Sequence, residues 1–173
     1  LIVSPIAYPR RPEPPREANE VDTLYAMLDY YRATLVTKCA GLSDVQLRQR
    51  SVPTSELTLM GILRHMCDVE SYWFSQVFAG SIDPTPFDPG NTGVDFYNVE
   101  DHSGDEVMAT FESCVVASRL VVGGISLDAT GTPSPKYGVV NLRYIVVHMI
   151  EEYARHCGHA DFLREAIDGS IGD

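Results

Sequence analysis

Apolar residues recur at three- and four-residue steps in four stretches of this chain, the period of helices that bury one face. The first stretch, about Ala18 to Ala40, aligns Val21, Leu24, Tyr25, Leu28, Tyr31, Leu35 and Cys39, and Gly41 is its natural stop. The second starts behind Thr58 as a cap, carries Leu59, Ile62, Leu63, Met66, Val69, Trp73 and Phe74, and should end near Gly80. Ser103-Gly-Asp-Glu106 has capping-box spacing and opens the third, with Val107, Phe111, Cys114, Val115, Ser118 and Val121 or Val122 inward before Gly123-Gly124. The last begins after Asn141 and ends at Gly169, with Leu142, Ile145, Val146, Met149, Tyr153, Leu163 and Ile167 as its apolar face.

The segments between are rich in helix breakers. A short helical turn fits Ser43 to Gln49, before Pro53 interrupts it. The stretch from Asp83 to Tyr97 is expected to be an irregular loop anchored by Phe87, Phe96 and Tyr97, a packing role preferred to that of a lid. A second loop runs from about Ile125 to Val139. Five prolines among the first eighteen or so residues forbid a helix there and predict an extended arm that packs on the domain or a second subunit, or else stays disordered. These elements predict an all-α chain: a proline-rich arm over 1–18, then an up-down four-helix bundle with long crossover loops over 19–169. At 173 residues one core is expected, not two.

Composition narrows the function classes. Hydrophobic residues at 45% and charged residues at 21% are ordinary for a soluble domain, and a net charge of -11 disfavours nucleic acid or an anionic membrane as partner. No apolar run approaches a membrane span, and the start lacks a basic region followed by a hydrophobic stretch, so a cytoplasmic location is expected. Cys39, Cys67, Cys114 and Cys157 form no Cys-x-x-Cys pair and read as reduced thiols. No phosphate-binding loop, dinucleotide-binding glycine pattern, nucleophile elbow or zincin motif is present.

The candidate chemistry lies in the last helix. His148, Glu152, His156 and His159 fall within roughly 80° of one another on a helix, so they share one stripe that suits a borderline divalent ion. A third ligand must come from another element if one coordination position is to stay open, and His65, bordering the apolar face of the second helix, is the obvious donor. The plainer alternative is a set of hydrogen-bonded interior histidines. His102, in a polar loop, is expected to be solvated; Cys157, off the stripe, to pack; and Asp68, one turn beyond His65, to be a surface charge, with proton transfer as its alternative role.

Leu57-Thr-Leu-Met-Gly-Ile-Leu-Arg-His65 resembles the second-helix histidine segment of the DinB/YfiT-like superfamily of four-helix-bundle metalloproteins, which includes bacillithiol S-transferases and mycothiol-dependent maleylpyruvate isomerase. His148 to His159, followed by Ala-Asp-Phe-Leu-Arg-Glu165, resembles the last helix of that superfamily. Many members carry two histidines four apart there, the second followed by Arg-Gly-Gln; the matching positions here are Glu152 and His156, then Cys157-Gly158-His159. A Glu-x-x-x-His pair is similar to that of the mycothiol-dependent isomerase branch. The resemblance implies His65, Glu152 and His156 as metal ligands, with His148 and His159 beside them as orienting or proton-moving groups or as substitutes. It implies a divalent ion, zinc first with nickel or iron as alternatives, a low-molecular-weight thiol as cosubstrate, a small electrophile as substrate, and a homodimer. The activity it implies is thiol S-transfer or thiol-dependent isomerisation; the alternatives are a non-catalytic bundle that binds a small molecule or partner, and a metal-dependent hydrolase.

Overall fold

Each helix begins where a side chain can satisfy the free amides of its first turn. The computed structural model describes residues 6–90 and 92–171, and within them the starts fall at the caps. Asn19 accepts from the amide of Asp22 to open α1 (Glu20–Cys39), and Ser43 and Gln46 form a reciprocal capping box on the short α2 (Asp44–Leu47). Thr58 accepts from the amide of Gly61 at the head of α3 (Leu59–Glu70), and Ser103 pairs with Glu106 at the head of α4 (Gly104–Val122). Asn141 caps α5 (Leu142–Asp168), which ends on Gly169 at φ 79, a left-handed position that favours glycine.

The helical period of the sequence does not reveal how α3 ends. From Ser71 to Phe78 the helix continues in π form, and the Ala79 amide donates to the Phe74 carbonyl, five residues back, at 3.1 Å. This wider turn carries Trp73 and Phe74 into the core and leaves Tyr72 half-buried beside them.

Contacts at the two ends set the helix directions. Arg143 of α5 pairs with Glu20 of α1 at 2.8 Å, and Lys38 near the end of α1 pairs with Asp161 at 2.7 Å, so α1 and α5 run parallel. The Gly104 amide at the start of α4 reaches Asp44, just past the end of α1, while Arg119 near the end of α4 pairs with Asp29. Ser51, shortly before α3, bonds the Leu163 carbonyl near the end of α5. Thus α3 and α4 run together against α1 and α5, and the crossover over 79–103 carries the chain back along the bundle. The fold is an all-α four-helix bundle, as the sequence patterning implies, but the consecutive helices α3 and α4 run in the same direction where a simple up-down order is expected, because the crossover between them is long enough to return along the bundle. None of the described helices is long and apolar enough to cross a membrane.

The core draws on all four long helices, through Leu28, Leu35, Ile62, Met66, Phe111, Ile145 and Tyr153 among others. Val21 departs from its expected inward place and is 42% exposed, lying in the first turn of α1. Leu1 to Pro5, the start of the expected arm, lies outside the described residues. The rest of the arm lies on the domain: Ile6 is buried and accepts the Gly41 amide, and Arg11 stacks over Tyr30. All four cysteines are free thiols, and Cys157 is buried with its sulfur 3.7 Å from the Tyr31 carbonyl, the packing role expected of it.

One polar group sits at the centre of this apolar interior. The carboxylate of Glu70, 0% exposed, accepts two hydrogen bonds from the Arg32 guanidinium at 2.7 and 2.8 Å and one from the Tyr153 hydroxyl at 2.7 Å. The contact joins α1, α3 and α5. A buried pair of this kind costs most when one partner is removed, because the other charge is left without compensation. Glu70→Ala is therefore expected to lower the unfolding free energy by about 3–5 kcal/mol, and Tyr153→Phe by about 1–2 kcal/mol, both read by urea unfolding. A loss below about 1 kcal/mol for Glu70→Ala would show that the pair does not hold the helices together.

Candidate active site

The last helix presents its polar stripe to α3, and the residues singled out in the sequence meet there. One donor atom each from His65, Glu152 and His156 lies within 4.8 Å of the others. The His65 and His156 rings are 4.7 Å apart between centroids, and Glu152 Oε2 is 3.5 Å from His156 Nε2. The other carboxylate oxygen, Oε1, is 3.4 Å from His148 Nε2, so Glu152 stands between two imidazoles. His156 beside it holds the Glu152 carboxyl below the usual range, and His148 and Arg155 add to that lowering against the opposing effect of burial.

His65 owes its orientation to a residue that no pattern in the sequence singles out. Asp95, buried in a 3-10 turn over Val94–Phe96, contacts His65 Nδ1 at 2.6 Å, leaving Nε2 as the free nitrogen. Phe96 stacks on the same ring at 4.3 Å. The turn can lie this close because residue 61 has no side chain: a Cβ there would come within 2.7 Å of the Phe96 carbonyl oxygen. No spacing rule links residues 65 and 95, and the one hint in the sequence is an acid flanked by an aromatic in a long loop.

Four expectations about side-chain environment change. Asp68 is not a surface charge but a buried one, accepting the amides of Phe87 and Asp88 at 2.9 and 2.6 Å and tying the first crossover to α3. Burial pushes its carboxyl up to about 6, opposed by the two amides and reinforced by the negative charges of Asp95 and Asp88. His102 is half-buried against Phe87 at 5.2 Å, not solvated. Tyr97 is 47% exposed, and it anchors the crossover through its carbonyl, which Arg64 binds, rather than through its ring. Phe87 and Phe96 pack as anchors, but the same crossover also supplies Asp95, so packing is only part of its role.

His148 and His159 take different positions. His148 is packed between Trp73 at 4.5 Å and Tyr144 at 6.1 Å, with Nδ1 at 3.2 Å from Glu151, and it borders an open cavity of about 360 Å³. His65, Glu152, Asp68, Tyr72, Trp73 and Tyr137 also line this cavity. His159 stands on the far side of His156, their Nδ1 atoms 3.5 Å apart, and does not line the cavity. Burial lowers its pKa, with His156 and Arg155 adding to the effect. The arrangement thus provides two nitrogens and a carboxylate at one spot, a third imidazole on the cavity side, and a wall of aromatic rings and acids beyond.

Residues 23–169 match the family profile described as mycothiol-S-transferase. Among solved structures the chain is similar to a conserved protein from Enterococcus faecalis, at 13% identity and a TM-score of 0.62, over 89% of this chain and 100% of that one. That likeness is one of fold. No curated protein sequence matches this chain.

The state of Asp68 gives the site a pH signature. A carboxyl whose folded pKa is raised keeps a proton that the unfolded chain releases, so stability falls as pH rises from about 4 to 6. The stability difference between the wild type and Asp68→Asn is expected to move in favour of the variant across that window, as measured by urea unfolding at each pH. A difference that stays flat would show that Asp68 titrates like an exposed acid.

Proposed function

The chain belongs to the mycothiol-S-transferase family, and from that membership and the convergence of three ligand-type side chains we propose a divalent-metal-dependent enzyme that joins a low-molecular-weight thiol to a small electrophile, or isomerises one with the thiol's help. The observation that carries this reading is the meeting of His65, Glu152 and His156. Donors on a tetrahedral ion at about 2.0–2.1 Å stand about 3.4 Å apart, and the 3.5 Å between Glu152 and His156 is close to that spacing. Two neutral imidazoles and a carboxylate suit zinc, with nickel or iron as alternatives. Such an ion would supply Lewis acidity that favours a thiolate over a thiol at neutral pH.

The chain's own groups supply the rest of the proposal. Asp95 holds the His65 ring by its Nδ1, the role a carboxylate plays behind a ligating histidine. Glu152 stays ionised at neutral pH, so a donor is available without loss of a proton. His148, packed by Trp73 and Tyr144 at the cavity edge, would accept the proton that a thiol gives up.

A second reading has one observation in its favour. Glu152 faces two imidazoles at 3.4 and 3.5 Å, and the same geometry serves a non-catalytic bundle in which Glu152 is simply their counter-charge. Metal analysis separates the two. Untagged protein equilibrated with zinc or nickel is expected to retain one ion per chain; His65→Ala and His156→Ala should abolish uptake with the helical circular dichroism intact, and Asp95→Ala should weaken it about 10–100-fold. The loaded wild type is further expected to conjugate thiol to an electrophile, with no turnover when thiol is omitted. Retention of no divalent ion by the wild type would favour the counter-charge reading.

A further inference from the structure

The wall of the cavity has a chemistry that the three candidate ligands do not explain. Tyr72 and Trp73 come from the π-helical end of α3, Tyr137 from the second crossover, and Tyr144 and His148 from the first turns of α5. Trp73 is the hub: its ring is 5.7 Å from Tyr72, 5.0 Å from Tyr137, 6.2 Å from Tyr144 and 4.5 Å from His148. Among the described residues the cavity sets against these rings four carboxylates, Asp68, Asp88, Asp95 and Glu152, and one ammonium, that of Lys136. The lining carboxylates outnumber the lining ammonium, so the cavity has an acidic character. A low-dielectric cleft lined by one sign of charge concentrates ligands of the opposite sign.

Lys136 shows what the rings can hold. Its ammonium stands over the Tyr137 ring at 4.9 Å and the Tyr72 ring at 5.9 Å, within the distance at which a cation is drawn to an aromatic face. Its side chain is exposed, so it can leave that position without disturbing the core.

We propose that this cavity binds an aromatic cation, a planar ring carrying an ammonium group, and that Lys136 is the internal cation such a ligand displaces. The ring would lie against Trp73 and Tyr144, and the ammonium would take the place over Tyr137 and Tyr72, facing the acids. Binding of such a ligand involves no bond-forming step and does not depend on the proposed thiol transfer.

The chain has one tryptophan, Trp73, so its emission reports this cavity directly. Benzyltrimethylammonium, benzyl alcohol and phenylacetate share a benzyl group and differ in charge. Titrated into the zinc-equilibrated wild type, the cation is expected to bind at least tenfold more tightly than the alcohol, with phenylacetate weakest. Lys136→Ala should tighten the cation about threefold by removing its competitor, and Tyr137→Leu should weaken it at least fivefold. Equal affinity for the three probes, tightest binding of phenylacetate, or weaker cation binding by Lys136→Ala would each overturn the inference. The wild-type series decides the matter even if a variant misfolds. Intact metal uptake with no charge preference would sink this inference alone, and loss of metal uptake with the preference retained would sink only the proposed enzyme.

Discussion

The Glu70 carboxylate, buried and held by Arg32 and Tyr153, is the contact on which the geometry of this bundle turns. Apolar packing alone tolerates sliding between helices, because one leucine resembles another. A charged hydrogen-bonded group does not, since a shift by one residue would leave it unpaired. Glu70 lies five positions from His65 on α3, and Tyr153 is next to Glu152 on α5. The bond that satisfies Glu70 therefore also sets the register in which His65 meets Glu152 and His156.

Two further devices refine that meeting. Asp95 and Phe96 enclose the His65 ring from the first crossover, and the bare backbone at Gly61 admits them. At the other end of the same helix, the change from α to π form carries Trp73 to His148, so the wall of the cavity and the candidate ligands share one rigid support. Widened turns of this kind are uncommon and recur at functional sites. Asp68 closes the arrangement by binding the crossover to α3, at the cost of keeping a carboxyl out of water.

Local signals in the sequence are legible, and distant ones are not. Thr58, Ser103 with Glu106, and Asn141 mark helix starts because a cap acts on amides two or three residues away. The stripe from His148 to His159 is legible for the same reason: four- and three-residue steps place side chains together whatever the tertiary structure. Asp95 acts across 30 positions of irregular chain, which no periodicity reaches. The π segment depends on which carbonyl an amide selects, and packing decides that. Glu70 has a readable signal, an acid four residues after Met66 on the apolar face, where a charge demands a partner. Asp68 has none, because its partners are amides of the first crossover.

The central claim is spatial: α3 and α5 are locked so that three side chains can share one ion. Anomalous diffraction from crystals equilibrated with zinc tests it most directly. The account expects a single strong peak at about 2.0–2.2 Å from donor atoms of His65, Glu152 and His156. A peak held instead by His148, Glu151 and Glu152, the second group of ligand-type side chains near enough to one another among the described residues, or no peak beside His65, would contradict it.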